Sequence, residues 1–130
     1  MNETRNLDPA ALERLHRLGG EVFVGKMIEL FVEYAGGKVA AARQAQVAGD
    51  LGGVQVAVHP IKSSAGNVGA CRVQELAQQI EQLAKQGQGD ALPGLIGELE
   101  AAFDAVKVAL TQKKSSPPGP TANPEPGRSV

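Results

Sequence analysis

A seam of apolar residues in the last third of the chain limits the possible folds more than any other feature. Its members are separated alternately by four and three positions, and they are Leu92, Ile96, Leu99, Phe103, Val106 and Leu110. Because an α-helix has about 3.6 residues per turn, this spacing puts all of these side chains on one face of a long helix. A helix with one apolar face must bury that face against another element, so the seam predicts a packed, multi-helix fold.

Three earlier segments show helical spacing as well, and the alternating pattern of β-strands is absent. Their predicted apolar stripes are Phe23, Met27, Leu30, Tyr34, Ala41 and Ala45 in residues 21–48, Val54, Val58, Ile61, Ala65 and Val68 in residues 51–67, and Val73, Leu76, Ile80 and Leu83 in residues 71–86. A shorter helix precedes them, with Asp8 as its N-cap and Gly19-Gly20 at its end. The sequence therefore predicts an all-α fold, an antiparallel up-down four-helix bundle with a short extra N-terminal helix.

Proline content divides the chain into two parts. The segment 115–130 holds five of the eight prolines and no apolar periodicity. Such a segment buries too little surface to offset the entropy lost on ordering, which predicts a disordered C-terminal tail. We expect residues 1–114 to form the helical bundle.

Composition excludes several classes of function. The chain has 13 Lys and Arg against 14 Asp and Glu, a net charge of −1, whereas nucleic-acid-binding proteins usually show a basic excess. No apolar run approaches the roughly 20 residues needed to cross a bilayer, and residues 1–7 lack the apolar stretch of a secretory signal. Cys71 is the only cysteine, so neither an internal disulfide nor a cysteine-rich metal site is expected. We expect a cytoplasmic protein that binds neither nucleic acid nor a membrane.

His59 is the residue that the stability of a bundle does not explain. Its position beside the core residue Val58 predicts an exposed ring on the flank of the apolar stripe. The same helix face carries Gln55, Lys62, Ser63 and Gly66. An exposed imidazole is mostly neutral and nucleophilic at pH 7, and a nearby lysine can neutralise an incoming phosphoryl group. The arrangement suits a phosphoryl acceptor, although a lone surface histidine most often has no function.

The stretch 57–70 resembles the signature of histidine-containing phosphotransfer (Hpt) domains. That signature reads roughly His-x-(Leu/Ile)-Lys-Gly-(Ser/Ala)-(Ser/Ala), then a hydrophobic residue, Gly, and Ala or Leu. The matching residues are His59, Ile61, Lys62, Ser64, Ala65, Val68, Gly69 and Ala70. The resemblance covers about residues 8–112.

This resemblance implies an intermediate of a bacterial two-component phosphorelay, without kinase or phosphatase activity of its own. Its histidine accepts a phosphoryl group from the aspartyl phosphate of a receiver domain and passes it to another receiver. The implied partners are response-regulator receiver domains and a hybrid sensor histidine kinase. The Mg²⁺ ion belongs to the receiver, so the resemblance implies no metal or cofactor in this chain. We expect a monomer, since one exposed histidine needs no second subunit.

The resemblance also implies roles for individual residues. His59 would be phosphorylated and Lys62 would steady the phosphoryl oxygens. Ser63 and Gly66, as small residues, would leave clearance for the receiver. An apolar docking patch is expected nearby, with Met27 and Ile61 as its candidates.

Three departures from the family pattern keep other functions open. Ser63 stands where glycine is usual, and Pro60 within the helix is expected to kink it. Glu81 stands where many members use a glutamine to hold the imidazole, with Gln78 and Gln82 as nearby substitutes. A carboxylate there would orient the ring but repel a phosphoryl group. The alternatives are therefore an Hpt-like receiver-binding module that does not carry phosphate, and an unrelated helical scaffold or metal-binding bundle.

Overall fold

Residues 7–115 of the protein fold into a bundle of four helices. The computed structural model describes residues 7–115, with side chains through residue 112. The helices are α1 (Pro9–Val47), α2 (Leu51–Val68), α3 (Cys71–Lys85) and α4 (Leu92–Ser115), and residues 7–115 contain no strand. Helix α1 packs against α2 and α4, and α3 packs against the same two helices. With short connections between consecutive helices, this is the predicted all-α antiparallel bundle.

The predicted short N-terminal helix is the first part of α1. The helix is broken at Gly20, whose φ of 80° and ψ of −169° are not helical and are easily adopted only by glycine. Asp8 caps the helix by accepting a hydrogen bond from the Ala10 amide at 3.0 Å. The Asp8 amide in turn donates to the Gly69 carbonyl at 2.7 Å. These contacts hold the beginning of α1 across the turn between α2 and α3.

The core confirms the predicted stripes of α2 and α4 and corrects that of α1. Every residue of the α2 stripe and of the α4 seam is buried. In α1, however, Leu30 and Tyr34 are 52% and 47% exposed. The buried residues of its second part are Ile28, Phe31, Ala35, Val39 and Ala42. Two apolar stripes lie side by side on this helix, and the one that includes Ile28 and Phe31 faces the bundle.

Two termini place α2 in the bundle. The Asp50 side chain accepts a hydrogen bond from the Gly53 amide at 2.9 Å and caps the beginning of α2. Gly69 ends the helix with φ 77°.

The predicted division into a bundle and a tail stays a prediction, because residues 1–6 and 116–130 lie outside the described residues.

Candidate functional site

Three charged or titratable side chains meet where α2 packs against α3. Nδ1 of His59 lies 2.6 Å from Oε2 of Glu81, and the ammonium group of Lys62 binds Oε1 of the same carboxylate. The side chains of His59, Lys62 and Glu81 are 68%, 30% and 6% exposed. A buried carboxylate thus holds an exposed imidazole and a half-buried ammonium group, one on each oxygen.

The charge of Glu81 is set by burial and by these two partners. Burial acts to raise the pKa of its carboxyl, but the hydrogen bonds from Lys62 and His59 act in the opposite direction and prevail. The pKa of Glu81 consequently lies below its ordinary value of 4.5. The carboxylate is therefore ionised at neutral pH.

The contact with Glu81 fixes the tautomer of neutral His59. An ionised carboxylate can only accept hydrogen bonds. Nδ1 must therefore carry a proton and donate a hydrogen bond to Oε2. In the neutral ring this leaves the lone pair on Nε2. Because the ring is largely exposed, this arrangement combines an oriented imidazole with an accessible nucleophilic nitrogen.

Helix α2 continues past the proline that follows His59. Pro60 has no amide proton, so the turn at the site lacks one backbone hydrogen bond. The helix nevertheless includes Pro60 and extends to Val68. Both His59 and Lys62 therefore project from one helix.

The small residues on this face of α2 lie in different surroundings. Ser63 is exposed. At Gly66, an added Cβ would come within 2.8 Å of Nε2 of Gln74. That amide donates a hydrogen bond to the carbonyl oxygen of Lys62 at 3.2 Å. Sequence reasoning missed Gln74, because no spacing in the chain relates it to α2.

The three candidate glutamines do not take the place of Glu81. Gln78 and Gln82 are exposed on α3, and Gln55 is half-buried on α2. Among the described residues, His59 has a hydrogen bond with Glu81 and with none of these three.

The two residues predicted to form the docking patch, Met27 and Ile61, differ in how deeply they are buried. Met27 is partly buried and packs against the core. Ile61 is wholly buried, so its assignment to a docking patch is wrong. It lies on the stripe of α2 that faces the other helices, and a partner protein cannot reach it.

The described part of the chain contains neither a candidate metal site nor a membrane-spanning helix. Within residues 7–112, no group of three or more His, Cys, Asp and Glu side chains could hold a metal ion. None of the four helices, as far as they are described, combines the length and hydrophobicity needed to span a bilayer.

Comparison with known proteins gives one family and one solved structure. Residues 26–109 match the family model of the Hpt domain. The crystal structure of histidine-containing phosphotransfer protein B (HptB) from Pseudomonas aeruginosa PAO1 superimposes with a TM-score of 0.80 at 23% sequence identity. The alignment covers 84% of this chain and 94% of the other. No curated protein matches the chain. At this identity, the structural likeness establishes a shared fold.

Proposed function

The chain belongs to the Hpt domain family, and on that premise we propose that it carries a phosphoryl group on His59 in a multistep phosphorelay. The hydrogen bond between Nδ1 of His59 and the buried Glu81 carboxylate is the observation that supports this proposal best. It orients a side chain that is otherwise exposed and leaves Nε2 as the nucleophile. A surface histidine without function has no need for such an arrangement.

The transfer reaction follows from this tautomer. Nε2 attacks the phosphorus atom of an aspartyl phosphate in a receiver domain. A bond forms between nitrogen and phosphorus, and the bond to the acyl oxygen breaks with its electron pair left on the aspartate. The proton stays on Nδ1 of the imidazole, hydrogen-bonded to Glu81, so the imidazole can later leave as a neutral ring when a second receiver aspartate attacks. Transfer of this kind depends on positioning and charge neutralisation.

Lys62 makes the carboxylate compatible with a phosphoryl group. A bare carboxylate beside His59 would repel the phosphoryl oxygens. The ammonium group of Lys62 binds this carboxylate and offsets its charge. In this proposal the remaining positive charge comes from a Mg²⁺ ion in the receiver.

The partners are receiver domains of response regulators and of a hybrid sensor histidine kinase, and the protein acts as a monomer in the cytoplasm.

The experiment is phosphorylation by receiver domains from the genome that encodes the chain. Each receiver is phosphorylated with radiolabelled acetyl phosphate and mixed with the full chain, and acid-labile label on the chain is measured. We expect His59→Gln to abolish labelling and His16→Gln to leave it unchanged, since His16 is the only other histidine. Circular dichroism should show equal helicity for both variants.

Two outcomes would overturn the proposal. Undiminished label on the His59→Gln variant would place the phosphoryl group elsewhere. A receiver that binds the wild-type chain tightly, with none of the receivers transferring label, would favour the non-phosphorylated binding module.

A further inference from the structure

Gln74 is an exposed residue of α3 whose side chain reaches across to α2. Its Nε2 donates a hydrogen bond to the carbonyl oxygen of Lys62 at 3.2 Å. The hydrogen bond holds the amide beside Gly66, where a Cβ atom would come within 2.8 Å of Nε2. No real Cβ atom is accommodated at that distance without movement of the amide. Gly66 thus supplies the space that Gln74 occupies.

This amide belongs to the same surface as the His59 ring. Positions 59, 62, 63 and 66 follow one face of α2, since residues three, four and seven apart lie above one another on a helix. Gln74 fills the position on that face where Gly66 has no side chain. A protein that brings an aspartyl phosphate to His59 must cover this surface, including the exposed Ser63.

We propose that Gln74 determines which receivers the protein accepts, through hydrogen bonds from its anchored amide. A glutamine amide has two N–H donors and one carbonyl oxygen. The bond to Lys62 uses one donor, which leaves one donor and Oε1 for a partner. A receiver with complementary groups is retained, and a receiver without them leaves a buried polar group unpaired. This inference rests on the proposed function, since it concerns the same surface.

Anchoring explains why the amide can discriminate between partners. A free glutamine side chain loses conformational entropy when a partner immobilises it, because several of its bonds can no longer rotate. The hydrogen bond to the Lys62 carbonyl and the space above Gly66 already restrict the amide before docking. A partner therefore meets a donor and an acceptor in fixed positions.

The first test is the Gln74→Ala variant of the full chain. Transfer from a phosphorylated receiver is measured against the concentration of the chain, and binding of the unphosphorylated receiver is measured by titration. For a receiver that the wild-type chain prefers, we expect KM and Kd to rise about fivefold, as for one or two lost hydrogen bonds, with the maximal rate unchanged. Gln79→Ala is the matched control, because Gln79 is also exposed on α3. An unchanged KM and Kd for Gln74→Ala would overturn the inference.

The second test uses Gly66→Ala, alone and combined with Gln74→Ala. Alanine favours a helix more than glycine does, so this variant should fold at least as well as the wild type. Its Cβ displaces the amide, and KM should rise as in Gln74→Ala. Gln74→Ala removes the amide and Gly66→Ala displaces it, so both changes abolish the same contact with a receiver. The double variant should therefore resemble either single variant. Multiplied effects in the double variant would show that the two residues act separately and would contradict the inference.

Phosphoramidate, a small donor that needs no docking surface, separates this inference from the proposed function. Every Gln74 and Gly66 variant should be labelled by it at the wild-type rate. If His59 is never labelled by any donor, the proposed function fails, while the titrations with receiver still test Gln74. If His59 is labelled normally and Gln74→Ala binds receivers as the wild type does, only this inference fails.

Discussion

The ammonium group of Lys62 binds Oε1 of Glu81. His59 holds the other oxygen of the same carboxylate, so the two residues of α2 meet through a residue of α3. Lys62 therefore neutralises a buried anion of its own protein beside the histidine that we propose is phosphorylated. Its removal should affect both the stability of the fold and the rate of transfer.

Removal of Lys62 should destabilise the protein. In Lys62→Met, the buried carboxylate of Glu81 keeps only the imidazole as a partner, and an unsatisfied buried group costs about 1–3 kcal/mol. We expect the free energy of unfolding in urea at pH 7 to fall by about 2 kcal/mol. Lys26→Met is the control, since Lys26 is exposed on α1. Equal losses in the two variants would show that the contact with Glu81 contributes nothing to stability.

The stability that Glu81 provides should depend on pH in a defined direction. Because its pKa is lower in the folded protein than its ordinary value of 4.5, the unfolded chain binds a proton more readily. The contribution is therefore complete above that ordinary value and is lost as the pH falls through the folded-state pKa. The difference in unfolding free energy between wild type and Glu81→Gln should shrink as the pH is lowered from 7 to values below 4.5. A difference that stays constant over this range would contradict the assigned ionisation.

Lys62 can assist transfer in two ways, by neutralising Glu81 or by binding the phosphoryl group directly, and a double variant distinguishes between them. Lys62→Ala should slow transfer from a phosphorylated receiver, because the charge of Glu81 then faces the phosphoryl oxygens without compensation. In Lys62→Ala/Glu81→Gln, that charge is gone, and the oxygen of the Gln amide can still accept a hydrogen bond from Nδ1 of His59. We expect the double variant to transfer faster than Lys62→Ala alone. If it is equally slow or slower, Lys62 acts on the phosphoryl group directly.

The sequence predicted the fold well where one apolar stripe dominates a helix. Helices α2 and α4 each carry a single continuous stripe, and its burial follows from helical geometry alone. On α1, large residues such as Leu30 and Tyr34 suggested one register, whereas Ala35 and Ala42 face the core. Each of the two stripes contains two alanines, and periodicity cannot reveal which of two adjacent stripes another helix will cover.

The candidate site was predictable only within one helix. His59 and Lys62 are one turn apart on α2, so their proximity follows from spacing. The contact of Glu81 with both residues depends on how α3 packs against α2, and only the family resemblance placed it there. The contact of Gln74 with the Lys62 carbonyl also crosses between helices and had no signal in the sequence.

Ile61 provides a test of where the core ends and the docking surface begins. Its side chain is 0% exposed, whereas Val56 on the same helix is 71% exposed. Ile61→Ala removes buried methyl groups and leaves a cavity, so the free energy of unfolding should fall by about 2–5 kcal/mol. Val56→Ala should change it by less than about 0.5 kcal/mol. Urea denaturation measures both values. If Ile61→Ala were as stable as Val56→Ala but bound receivers more weakly, Ile61 would belong to the docking surface after all.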